Sequence, residues 1–99
     1  MTDRKIIEEL VQQELKEANE KHPLFHSPHE AYAVIKEELE ELIDEVKDVC
    51  NCSDTIWYCA KNDEPVDTTL ECMRISAMYA AMESIQVAAM CQKAIDSEV

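Results

Sequence analysis

The chain has 99 residues and a formal net charge of -13, with no glycine and only three prolines. A single domain, residues 1–99, is near the size where one core is only adequate, and tight β-turns want glycine, so an all-α fold is expected. The charge excludes binding to a nucleic-acid backbone, which calls for a basic stripe, but not a nucleotide that arrives with a divalent cation.

The first predicted helix runs from about Asp3 to Lys21, with Ile6, Ile7, Leu10, Val11, Leu15 and Ala18 at three- and four-residue steps. His22-Pro23 closes it, because the residue before proline is pushed out of the α region. "SPHE" opens the second: Ser27 caps, Pro28 suits the first helical position, and Glu30 reaches back to complete a capping box. That helix is expected from Pro28 to about Val49. The connector, Cys50 to Val66, holds the turn-like "NCSD" and "KNDEP" around an apolar "TIWYCA" that suits a short helical turn. Thr68 with Glu71 makes another capping box, opening a helix to about Asp96.

The fold class expected is therefore an all-α helical bundle of about three to four helices per chain. From Ile75 to Cys91 the third helix is apolar on nearly every side. Two neighbouring helices cannot cover it, so oligomerisation, to a homodimer or homotetramer, is expected to complete the core.

Residues 37–48, "EELEELIDEVKD", carry seven acids among twelve residues. On a helical wheel Ala31, Ile35, Leu39, Leu42, Val46 and Val49 form one apolar arc. Glu37, Glu40, Asp44 and Asp48 lie opposite or on its flank. Glu38 falls inside the arc, with Glu41 and Glu45 along its border. An inward carboxylate is costly unless it is paired, protonated or bound to a cation. The third helix repeats the pattern with Glu83 and Gln86. If the two helices pack antiparallel, these pairs converge on an all-oxygen ligand set, suited to Mg²⁺ or Mn²⁺ rather than a soft metal.

Other patterns carry less. Cys50-x-Cys52 with Cys59 lacks the C-x-x-C spacing of common zinc sites, and His22, His26 and His29 are distant from it. No Glu-x-x-His pair supports a di-iron bundle. No apolar run of about 18 residues and no leader is found, so neither membrane nor export is expected. Five cysteines without a secretory context suggest reduced thiols and a cytoplasmic protein.

"EELEEL", followed after the connector by "ESIQVAAM", resembles the all-α nucleoside triphosphate pyrophosphohydrolases, the MazG-like family. "SPHEAYAVIKEELEEL" and "ESIQVAAMCQKAI" are similar to a small single-domain branch of it in bacteria and phages. The likeness spans roughly residues 25–49 and 80–96, about two fifths of the chain.

The family pattern is E-E-x-x-E on one helix and E-x-x-D on the next. Glu37, Glu38 and Glu41 fill the first motif and Glu83 opens the second. Gln86 stands where the family has aspartate, and its neutral amide is a weaker ligand. The loop between the motifs is longer than usual.

The resemblance implies Mg²⁺-dependent cleavage of a nucleoside triphosphate between the α- and β-phosphates, giving a nucleoside monophosphate and pyrophosphate. Glu38, Glu41, Glu83 and Gln86 would hold the metal. Glu37 or Glu45 would take a proton from the attacking water. Lys36 and Lys93 are candidates to steady phosphates, along with Lys47 and Arg74. A second reading keeps the fold without the chemistry, as a helical oligomerisation or regulatory module with an eroded metal site. Gln86 favours it. Glu38 and Glu83 oppose it, since leucine in their place would raise stability.

Overall fold

Asp3 starts the first helix, its carboxylate accepting from the Lys5 amide at 3.0 Å. In the computed structural model, which describes residues 2–99, this helix is α1 (Arg4–Lys21). His22 ends it in an extended conformation, as the following proline requires. Ser27 opens α2 (Pro28–Lys61) by accepting from the Glu30 amide at 3.1 Å. The connector expected between Cys50 and Val66 is mostly helix instead, since α2 continues twelve residues past Val49.

The reason lies in what "NCSD" lacks. Asn51, Ser53 and Asp54 favour turns only when their side chains capture nearby backbone, and none is glycine or proline. Here Thr55 Oγ1 bonds back to the Asn51 carbonyl at 3.1 Å, which a helix tolerates. Val49, Cys52, Ile56 and Cys59, at three- and four-residue steps, carry the inward strip onward, and all four are at least half-buried. α2 stops at Asn62, whose side chain donates to the Tyr58 carbonyl at 2.7 Å. Asp63 then turns the chain with φ of 53°.

A third helix, α3 (Asp67–Asp96), runs back antiparallel along α2. The capping box expected at Thr68 and Glu71 does not form. α3 begins at Asp67, and its cap residue, Val66, makes no side-chain capping bond. Three helices form among the described residues, the low end of the expected range. None is long and apolar enough to cross a membrane.

α1 packs on α3 rather than α2. The core is small and lies at the α1 end, where Leu15, Phe25, Ala31, Ala89 and Met90 are buried together. With about 1.5 Å rise per residue, α1 is roughly 27 Å long against about 51 Å for α2. Much of the α2–α3 hairpin therefore projects beyond α1, and the molecule measures 55 × 27 × 19 Å.

Asp63 gives a local test. A side chain in the left-handed region is strained, and glycine is not. Asp63→Gly should raise stability by about 0.5 kcal/mol after its greater unfolded-state freedom is counted. That would appear as a higher urea midpoint at unchanged slope. A lower midpoint would show that the Asp63 side chain supports the turn.

Candidate metal centre

α2 sets Glu38 and Glu41 one turn apart on its inward edge, and α3 does the same with Glu83 and Gln86. The antiparallel hairpin brings the pairs level. One carboxylate oxygen from each of Glu38, Glu41 and Glu83 lies within 4.8 Å of the others. Among the described residues no other set of three His, Cys, Asp or Glu side chains converges this way. Glu38, Glu83 and Gln86 are half-buried, while Glu41 is exposed.

Gln86 binds this cluster together. With its amide nitrogen turned to the carboxylates, it donates to Glu38 Oε2 at 2.7 Å and to Glu83 Oε2 at 3.0 Å. The opposite orientation would set its oxygen against acceptors alone, so hydrogen-bond chemistry selects this one. One neutral side chain thus spans both helices.

Crowding shows in the proton affinities. Burial pushes the Glu38 carboxyl up to about 7 from its ordinary 4.5, and the charges of Glu41, Glu83 and Glu37 push the same way. Glu83 is raised as well, first by burial and then by its contact with Glu41. No Lys or Arg forms an ion pair with the cluster among the described residues. Neighbouring carboxylates thus add to burial in raising the proton affinity of Glu38 and Glu83.

The donor set fits a hard divalent cation. An octahedral Mg²⁺ with bonds near 2.1 Å spaces its ligands about 3 to 4 Å apart, so small side-chain shifts would close this cluster around one. The cysteines offer no competing site. Cys50, Cys52 and Cys59 are free thiols along the single helix α2, and no Cys or His joins a converging set among the described residues.

No protein-family model, curated protein or solved structure matches the chain. The resemblance to pyrophosphohydrolases rests on the motif residues, and their positions can be compared one by one. Glu38, Glu41, Glu83 and Gln86 come together. Glu45 is half-buried and close enough to Glu83 to help raise its carboxyl. Glu37 is exposed beside Glu38.

The two lysines differ from their expected role. Lys36 is exposed and sits 3.9 Å from Glu40 on the solvent side of α2, away from the cluster. Lys93 is only 4 % exposed, donates to the His22 carbonyl, and stands over the Phe25 ring at 4.7 Å. Ser97 adds a second tie, accepting from the Phe25 amide at 2.9 Å and donating to the Lys93 carbonyl at 2.7 Å. Together they fasten the α1–α2 loop to the end of α3. A buried ammonium held by a carbonyl and an aromatic face is a packing element.

A cleft of about 390 Å³ leads from Glu38 and Gln86 to Lys93, floored by Val34, Phe25 and Met90. Glu14 and Glu17 of α1 line its rim. Neither was a sequence candidate. Their signal was available in part, because Glu14, Glu17 and Lys21 follow at three- and four-residue steps beside the inward Leu15 and Ala18. What that spacing does not contain is the face of α3 against which α1 docks.

Proposed function

We propose that this chain is a Mg²⁺-dependent nucleoside triphosphate pyrophosphohydrolase acting at the Glu38–Glu41–Glu83 cluster. One observation supports it most: the motif residues of the resemblance, from segments more than forty residues apart in sequence, converge with their oxygens within 4.8 Å. Mg²⁺, or Mn²⁺ in its place, would offset phosphate charge and lower the pKa of a bound water. Glu38, Glu41 and Glu83 would hold it. Gln86 would keep Glu38 and Glu83 aligned, as its two donated bonds already do.

Glu45 is the better placed of the two candidate bases, being half-buried next to Glu83, whereas Glu37 is exposed. The cleft beside Glu38 suits the organic part of a nucleotide, with an apolar floor and polar rim. Five free thiols suit a reducing compartment such as the cytoplasm.

The test is a screen of nucleoside triphosphates with Mg²⁺ or Mn²⁺, read as pyrophosphate release. Pyrophosphate and monophosphate in equal amounts support the reading; release of inorganic phosphate instead overturns it. The non-catalytic module has its own support in Gln86, which satisfies two carboxylates without any metal. It becomes the better reading if no triphosphate is cleaved and calorimetry detects no Mg²⁺ binding.

Gln86→Asp separates a positioning amide from a ligand. A fourth carboxylate should lower the melting temperature in chelator, because it loses two donated bonds and adds charge. In exchange it should tighten Mg²⁺ binding by roughly tenfold, about 1.4 kcal/mol. An unchanged metal titration would place residue 86 outside the metal's ligands.

A further inference from the structure

Glu14 repeats on α1 the anomaly that Glu38 shows on α2. Val11 lies three residues before it and Ala18 four after, and both pack against the core. Glu14 therefore stands in the inward strip of α1, where it is half-buried. Among the described residues it joins no ion pair, and it lies outside the converging set of Glu38, Glu41 and Glu83. A half-buried carboxylate without a cation or a place in the metal centre is costly unless something else supplies a donor.

Its place in the fold indicates what does. Glu14 lines the cleft of about 390 Å³ that opens beside Glu38 and Gln86. All three helices and the α1–α2 loop contribute to this cleft, so it is a product of the tertiary fold and not a furrow along one helix. Val34, Phe25 and Met90 give it an apolar floor that suits the flat face of a nucleobase. With the phosphates at the cluster, a base lying on that floor would meet α1 at its edge.

The hydrogen-bonding character of the cleft is one-sided. Its less exposed donors are already engaged: the Gln86 amide donates to Glu38 and Glu83, and the Lys93 ammonium to the His22 carbonyl. What remains along the lining is acceptors, the carboxylates of Glu14, Glu17 and Glu30 and the Gln86 oxygen. Lys21 and His22 are exposed at the mouth. An amino group on the base would satisfy Glu14 with an N–H. A keto oxygen in its place would set lone pairs against the carboxylate.

We infer that Glu14 is a specificity-determining residue that accepts from an exocyclic amino group, so that the cleft takes cytosine or adenine in preference to uracil or hypoxanthine. The inference deepens the pyrophosphohydrolase reading and rests on it for the placement of the phosphates.

Matched substrates test it. CTP and UTP differ by amino against keto at one ring position, with the ring proton that follows, and so do ATP and ITP. In a fully dry site such a mismatch is worth about 10⁴-fold, so half-buried Glu14 should favour the amino member at least about tenfold in kcat/KM. Glu14→Gln can turn its amide to suit either base, and should bring the ratio to within about threefold. Equal rates within the pairs, a preference for the keto members, or a preference that survives Glu14→Gln overturns the inference. If Glu14→Gln removes only a preference for CTP over dCTP, the carboxylate serves a ribose hydroxyl and the inference also fails. Should Glu14→Gln not fold, the wild-type ratios decide alone. Should no triphosphate be cleaved, the pyrophosphohydrolase reading fails by itself and binding decides the cleft. Calorimetry in Mg²⁺ should then show CMP bound at least about tenfold more tightly than UMP. Equal affinities, or no binding of either, overturn the inference.

Discussion

If the proposed reaction is right, Glu38→Gln should abolish most Mg²⁺-dependent pyrophosphate release and yet melt higher than wild type in chelator. Loss of a residue that only supports a metal ligand costs roughly 10- to 100-fold, so removing a ligand should cost at least about 100-fold. The stability change has the opposite sign. In wild type, burial and the neighbouring Glu41 and Glu83 resist ionisation of Glu38. Glutamine has the shape of the protonated acid and keeps an oxygen to accept from Gln86. At pH 8 the variant should gain on the order of 1 kcal/mol, after discounting for the water that reaches a half-buried site. For a chain of this size that is roughly 4–8 °C in melting temperature, compared at fixed protein concentration.

Millimolar Mg²⁺ should narrow or reverse that order, since wild type gains the free energy of binding and the variant loses most of it. The decisive comparison is thermal unfolding of both proteins in chelator and in Mg²⁺. If the variant is less stable by the same margin in both, Glu38 is a structural hydrogen-bonding residue and the metal centre is refuted.

If the cluster holds Mg²⁺ as proposed, acidification should weaken that binding and stabilise the metal-free fold together. Glu38 holds its proton to about 7 when folded and to 4.5 when unfolded. Between those values the native state binds more protons than the unfolded chain. Stability contributed by this group is therefore fully present below pH 4.5 and is lost as pH rises through 7. Glu83, raised in the same direction, adds to the slope.

A metal must displace that proton, so its apparent affinity should fall about tenfold per pH unit between 7 and 5. Calorimetric titrations with Mg²⁺ at pH 5, 6, 7 and 8 would read this. In Glu38→Gln the chelator stability advantage should vanish at pH 5, where wild type is already protonated. An advantage of equal size at pH 5 and pH 8 would mean that ionisation of Glu38 is not what burdens the fold.

The helical class, the cap at Ser27 and the inward placement of Glu38 were all legible in the sequence. Each depends on residues within a turn or two of one another, through capping oxygens, a 3.6-residue period and the absence of glycine. The existence of two polar pairs at i, i+3 was readable for the same reason. What they do together was not.

Convergence of Glu38 and Glu41 with Glu83 and Gln86 depends on the register of the α2–α3 hairpin, and that register depends on where α2 ends. "NCSD" is a turn in isolation. Packing of Cys52, Ile56 and Cys59 against α3 made it helix and moved the turn to Asn62–Val66. A shift of four residues in that turn would slip the facing positions by about eight residues, roughly 12 Å, and separate the carboxylates. Lys93 shows the same dependence. Its sequence position near the second motif suggested phosphate, but the His22 carbonyl and Phe25 ring, some seventy residues earlier, took its charge. Local chemistry determined which residues are costly to bury, and only tertiary packing decided which of them meet.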